Sequence, residues 1–496
     1  MAYSSEKIIG STIWKLLERT SSQIIALVVT IVLARILIPE EYGIIAILMV
    51  FINLANVIVD GGLNTALIQK KASDSTDFST IFVFSIILAA IIYILLYIFA
   101  PSIARFYNND QLVVVLRVLS IVIFPTSINA IQRAYISKNM LFSKLFYSSI
   151  GATIISGVVG ILMALSGFGV WALVGQQIVY QFANVIIMWI TIEWRPQFLF
   201  SFNRFKGLFD YGWKIFMTNF IIAVYEDIRS LIIGKVYQPS ALAYFDRGKQ
   251  FPNLIMSNIN ASLQTVLLPA FADVQDDRVR VKQMMKRSVE LTNFFIFPLL
   301  ILLMAAAKPF VLLVLTDKWI DSVPFIQIFC VAYLMMPIQN SNMSAIRALG
   351  YSGTTLKLEI IKKILEAIIL VISFMINVYA VAWGIVVYNF LCIFINLYPC
   401  VRILNYGIME QIRDMLPTVV ISSITGVVVY FLSWLNFPPL FLLLIQIVIG
   451  LFLYLFLNFL FKTEGFRYIV SMINSHRNNN DSKTKRCKHN TSDSIL

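Results

Sequence analysis

Asn53, Asn56, Asp60 and Asn64 follow one another at intervals of 3, 4 and 4 inside an otherwise apolar run, so three amides and a carboxylate line one face of a helix. A second run repeats the pattern with Asn253, Ser257, Asn260 and Gln264 at intervals of 4, 3 and 4. Two further runs carry charge. Ser11, Lys15, Glu18 and Ser22 share a face with Arg19 beside them, and Lys214, Thr218 and Tyr225 lead to Glu226, Asp227 and Arg229. Amides bond hydroxyls, carboxylates take protons or cations, and fixed cations hold anions.

The medium around these helices decides what that chemistry serves. Of 496 residues, 59% are hydrophobic and only 13% charged, and the mean hydropathy is +0.81, the composition of an integral membrane protein. The apolar runs extend for about 20 residues without the alternation of a barrel strand, so the class is all-α. A charge at the bilayer centre costs about 2.5–3.5 kcal/mol, so Glu226, Asp227 and Arg229 facing lipid would cost roughly three times that. The polar stripes must face protein or water.

Several chemistries lack residues. Cys330, Cys392 and Cys400 sit in apolar runs and Cys487 in the tail, with no metal-ligand spacing and no disulfide framework. The only histidines, His476 and His489, are also in the tail, so no imidazole serves the membrane interior. No GxxxxGK[ST] sequence occurs, which argues against ATP hydrolysis by this chain, and no cofactor is expected. The first apolar run holds Lys15, Glu18 and Arg19 and lacks a cleavage site, so it reads as a span and not a signal peptide.

Windows broken by charge, Pro and Gly predict fourteen transmembrane helices, near 11–37, 42–68, 79–100, 112–134, 146–166, 169–191, 209–236, 243–271, 288–315, 322–346, 357–378, 380–403, 415–434 and 439–461. Every second connection is basic, including Lys70 with Lys71, Arg133 with Lys138, Arg204 with Lys206, and Arg347 with Lys357. The alternate connections are short or nearly uncharged, such as SGFG at 166–169. Lys and Arg collect on the cytoplasmic side, so both termini are expected inside, and the net charge of +13 reflects topology and anionic headgroups, with no nucleic acid as partner. The tail from Asn474 is basic and lacks enough apolar residues to bury, and reads as disordered.

LARILIPEEYG at 33–43 and IGKVYQPSALA at 233–243 place Arg35 before Pro39 as Lys235 stands before Pro239, an offset of 200 residues. At the same offset Asn53 meets Asn253, Asp60 meets Asn260, and Asn64 meets Gln264. Later pairs drift: Pro125 with Pro337, Arg133-Ala134 with Arg347-Ala348, and Trp171 with Trp383. Six spans per copy give parallel repeats related by an axis along the membrane normal, with a central cavity expected between them. The predicted domains are two six-helix lobes, 1–206 and 207–405, then two additional helices at 406–465 and the tail at 466–496.

The stretch 232–277 (IIGKVYQPSALAYFDRGKQFPNLIMSNINASLQTVLLPAFADVQDD), with LARILIPEEYGIIAI and GFGVWALVGQ, resembles the polysaccharide transporter family of the multidrug/oligosaccharidyl-lipid/polysaccharide exporter superfamily, nearest to lipopolysaccharide or colanic-type exporters. The resemblance runs from about residue 8 to 460. It implies a flippase that moves an oligosaccharide linked to undecaprenyl pyrophosphate from the inner to the outer leaflet of a bacterial cytoplasmic membrane by alternating access, beside a polymerase and glycosyltransferases. Arg19 and Arg229 are then the first candidates for the pyrophosphate, with Lys15, Lys214, Arg247 and Lys249 behind them, and Asn53, Asn253, Asn260 and Gln264 for sugar hydroxyls. Asp60, Glu18, Glu226 and Asp227 are candidates for coupling to protons or sodium. For several of these a purely structural reading stays open. Glu18 can pair with Lys15 and Glu226 with Arg229, Lys15 and Lys214 can snorkel, and amides also serve as helix-to-helix glue. A drug extruder of the same superfamily is the alternative, against which the cations count. A polymerase or ligase would carry a larger outer loop than this chain has.

Overall fold

The computed structural model describes residues 5–70, 73–273, 277–435, 437–468 and 470, with the side chains of 5–9, 12, 16, 261–270, 272–273, 348 and 352 outside the description. The basic tail, with Cys487, His476 and His489, also lies outside the described residues, as does the side chain of Gln264. Every regular element among the described residues is helical.

Contacts gather the chain into two compact units, Met1–Tyr244 and Phe245–Leu496. The first holds α1 (Ser5–Ile36), α2 (Pro39–Asp60), α3 (Leu63–Gln69), α4 (Ser75–Tyr107), α5 (Gln111–Leu119), α6 (Ile123–Asn139), α7 (Phe142–Leu165), α8 (Val170–Thr191), α9 (Phe202–Val236) and the start of α10 (Pro239–Asp273). The second holds the rest of α10, then α11 (Arg278–Ala305), α12 (Ala307–Val314), α13 (Val323–Leu334), α14 (Met336–Ala348), α15 (Ser352–Phe374), α16 (Val378–Leu404), α17 (Ile408–Leu432) and α18 (Pro439–Phe461). Among the described residues, 11 helical stretches are long and apolar enough to cross a membrane. The three other predicted spans fall on α9, α10 and α15, of 35, 35 and 23 residues, which carry more charge.

In lipid the hydrophobic effect does not drive helices together, so close packing and hydrogen bonds must. On α7 the buried positions are Ser148, Ser149, Ala152, Thr153, Ser156, Gly157, Gly160 and Ala164, a narrow face that lets α1 and α8 lie close. Where the repeated punctuation recurs, the two turns touch. A Cβ on Gly43 would lie 2.0 Å from the carbonyl oxygen of Pro239, so the N-terminal ends of α2 and α10 abut backbone to backbone.

The helix after the sixth span docks similarly in each unit: α9 packs on α2, α3 and α4, and α17 on α11. Asp74 caps α4, accepting from the Asp77 amide at 3.0 Å, and Asp277 caps α11, accepting from the Val279 and Arg280 amides. Ion pairs then hold each docked helix. The fully buried Asp77 carboxylate meets Lys70 at 2.7 Å and Arg204 of α9 at 3.3 Å, and Arg204 also bonds Asp74. In the second unit the polarity reverses, with Lys282 of α11 against Glu410 of α17 at 2.8 Å. The Arg204 guanidinium and the Asp77 amide hold the Asp74 carboxyl below its ordinary range.

Candidate functional site

Within the first unit two adjoining chambers, of about 250 and 320 Å³, share Asp60, Asn64, Thr126 and Ala130. Asn56, Ser85, Ser127 and Asn219, with Val57 and Val59, complete one; Asn129, Arg133 and Gln181 are among those completing the other. The predicted continuous helix 42–68 breaks here. Gly61 and Gly62 adopt left-handed φ of 53° and 67°, and a Cβ on Gly62 would meet the Gly212 carbonyl oxygen at 2.3 Å, so α9 can approach only a glycine. Asp60 therefore ends α2 and Asn64 lies in the first turn of α3, where its amide still donates to the Asp60 carboxylate. Asn129 donates to the Gln181 side chain at 3.2 Å. The Oδ1 atoms of Asn56, Asn64 and Asn129 are buried without a hydrogen-bond partner. A carboxylate with orphaned amide oxygens around it is a donor set for a proton or a hard cation.

The second unit has its own chamber, of about 250 Å³, lined by Asn260, Gln339, Asn340, Met343, Ser344, Arg347, Glu359, Lys362 and Asn396. Asn340 donates to Asn260 at 3.1 Å, and Lys362, 7% exposed, pairs with Glu359 at 2.6 Å.

The two sites are built alike. Positions 3, 4 and 7 before Arg133 are Ala130, Asn129 and Thr126; those before Arg347 are Ser344, Met343 and Asn340, and all line their chambers. Asp60 and Asn260 face them from the second helix of each repeat, and α8 and α16 contribute Gln181 and Asn396. Two differences set the charge. Asp60 has a neutral counterpart in Asn260, and α15 adds Glu359 and Lys362 where its counterpart α7 supplies no lining residue.

Of the residues singled out by sequence, Asp60 and Asn260 line these chambers, while Asn53 and Asn253 are exposed. Among the described residues, none that lines them belongs to α1. Lys15 and Arg19 are exposed and Glu18 half-buried, with Lys15 over the Phe142 ring at 5.5 Å. Along α9, Lys214 and Glu226 are exposed and Asp227 and Arg229 half-buried; that helix's contribution to the chambers is Asn219. Arg247, 9% exposed, bonds Gln250 and lies 5.5 Å from the Trp319 ring, and Lys249 is half-buried. Arg133 and Arg347, which the charge pattern assigns to connections, lie inside α6 and α14 and line the sites. The signal that could have marked them was the Arg-Ala pair kept in both repeats.

Residues 32–324 match the family model described as "Polysaccharide biosynthesis protein". The chain belongs to that family. Among its relatives, the teichuronic acid biosynthesis protein TuaB of Bacillus subtilis (strain 168) is 24% identical over 299 residues, 60% of this chain and 62% of TuaB. The succinoglycan biosynthesis transport protein ExoT of Rhizobium meliloti (strain 1021) is 23% identical, and again the match spans 62% of the relative's length. The lipopolysaccharide biosynthesis protein WzxC of Escherichia coli (strain K12) is 22% identical over 73% of this chain and 74% of its own. The fold is that of the lipid II flippase MurJ in an inward closed conformation, with a TM-score of 0.73 at 17% identity over 92% of this chain and all of that one. A multidrug resistance MATE family transporter of the MOP superfamily, in its inward-facing conformation, aligns at a TM-score of 0.57 with 15% identity over 77% of this chain and 94% of that one. This member of the polysaccharide biosynthesis family is thus an all-helical, multi-pass membrane protein with a transporter fold.

Proposed function

We propose that the protein flips an undecaprenyl-pyrophosphate-linked oligosaccharide from the inner to the outer leaflet of a bacterial cytoplasmic membrane by alternating access, without catalysing a covalent step. One observation carries this: each unit of a transporter fold keeps an equivalent polar chamber, with an arginine at the same place. Amides and hydroxyls at such sites match sugar hydroxyls, and guanidinium groups match phosphate. A cationic drug would find Arg133, Arg347 and Lys362 repulsive. The name of ExoT as a transport protein supports polysaccharide export, that of WzxC supports a place in lipopolysaccharide biosynthesis, and the fold shared with MurJ supports a lipid-linked substrate.

Asp60 is the coupling residue in this reading. A proton or sodium ion held by its carboxylate and the orphaned amide oxygens would cancel its charge and leave Arg133 free to attract an anion. Arg19, Arg229, Lys15 and Lys214 guide the headgroup from outside the chambers. Fourteen crossings, with both termini cytoplasmic, complete the topology. Removing the gene should trap lipid-linked glycan on the inner leaflet, and purified protein in vesicles should restore its passage. Vesicles that leave the glycan where it started would refute the proposal.

A further inference from the structure

A lysine inside a membrane helix is costly unless it is paired or serves a ligand. Lys362 is more than nine-tenths buried on α15, and its carboxylate partner Glu359 belongs to the preceding turn, with a side chain 39% exposed. Across the same chamber stands Arg347, an exposed side chain at its mouth with no ion-pair partner among the described residues. Two cations against one carboxylate leave the chamber with an excess positive charge. Asn396, 1% exposed, lines it with both amide atoms buried and unbonded. An unsatisfied buried amide beside surplus positive charge calls for a ligand with strong acceptors. The volume of about 250 Å³ equals about eight waters at ~30 Å³ each, enough for one compact anionic group and far too small for an oligosaccharide.

We propose that this chamber, a half-open pocket within the second unit, is a subsite for one oxyanion, a carboxylate or a phosphate, and that Glu359 is the internal stand-in the ligand displaces from Lys362. The proposal deepens the transport reading and rests on it. In the empty state the Glu359 carboxylate neutralises Lys362. When an anionic group of the cargo arrives, Glu359 swings toward solvent, and Lys362, Arg347 and the Asn396 amide hold the ligand. The exchange swaps one carboxylate for another acceptor, so no net charge is stranded in the interior.

The test is equilibrium binding of glucuronate, inorganic phosphate and neutral glucose to the full-length protein in lipid nanodiscs. Wild type should bind the anions weakly and glucose not at all. Glu359→Gln, which removes the competitor, should tighten anion binding by about tenfold or more, and Lys362→Met should weaken it by at least about the same factor. The double variant Glu359→Gln with Lys362→Met guards against a stranded carboxylate and should bind like Lys362→Met. Preference for glucuronate assigns the subsite to an acidic sugar, and preference for phosphate to the carrier headgroup. Glucose binding as well as glucuronate, or Glu359→Gln leaving anion affinity unchanged or weaker, overturns the proposal. Vesicles that transport while both variants bind anions as wild type does defeat the subsite alone. Vesicles that fail to transport defeat the wider reading.

Discussion

Neutralising Asp77 should loosen α9 from α4. The Asp77 side chain is fully buried, whereas Lys70 and Arg204, at 2.7 and 3.3 Å, remain 39% and 38% exposed. Asp77→Asn keeps an oxygen to accept from the Asp74 amide, now at 3.2 Å, but removes the charge both cations address. Stripping one partner from a fully buried pair costs about 3–5 kcal/mol, and an exposed pair is worth less than about 1 kcal/mol. With a buried anion and half-solvated cations the cost falls between, at about 2 kcal/mol, or an unfolding equilibrium shifted about 30-fold. Titrating purified protein with SDS and following helix loss measures it. Arg204→Met should cost less, because Lys70 remains, and a double-mutant cycle of the two should show a coupling of about 1 kcal/mol. An unfolding midpoint unchanged in Asp77→Asn, or strict additivity in the cycle, would refute the claim that this pair clamps α9.

Gly43→Ala pushes a Cβ to 2.0 Å from the Pro239 carbonyl, which backbone alone can relieve, so it should cost about 3 kcal/mol, read by the same titration. Asp60→Asn copies Asn260 of the other unit; transport in vesicles should lose its dependence on a sodium or proton gradient, and retained dependence would move coupling elsewhere. Because Asp74 titrates below the ordinary carboxyl value of 3.8, its contribution is complete above that value and disappears as pH falls through the lowered pKa. Arg204→Met should flatten this acid-side decline in unfolding midpoint, since the guanidinium is its main cause.

Composition alone determined the solvent, and the solvent determined the class: an apolar run in lipid must close its own backbone hydrogen bonds, so every long run became a helix. The repeat was equally legible, because Asp60 over Asn260 and the paired Arg-Ala steps need only counting. Periodicity also put Asn56, Asp60 and Asn64 on one face, and they share one chamber although Gly61 and Gly62 break the helix between them. Which charges enter a chamber was a tertiary matter. Arg133 and Arg347 looked like loop cations because hydropathy windows end at charge, and only the packing of α6 against α8, and α14 against α15 and α16, set these exposed side chains at the rims of the chambers. Lys362 shows the same limit. One turn of helix explains its pairing with Glu359, but the neighbours that make the site net positive arrive from α14, through contacts that no spacing along the chain encodes.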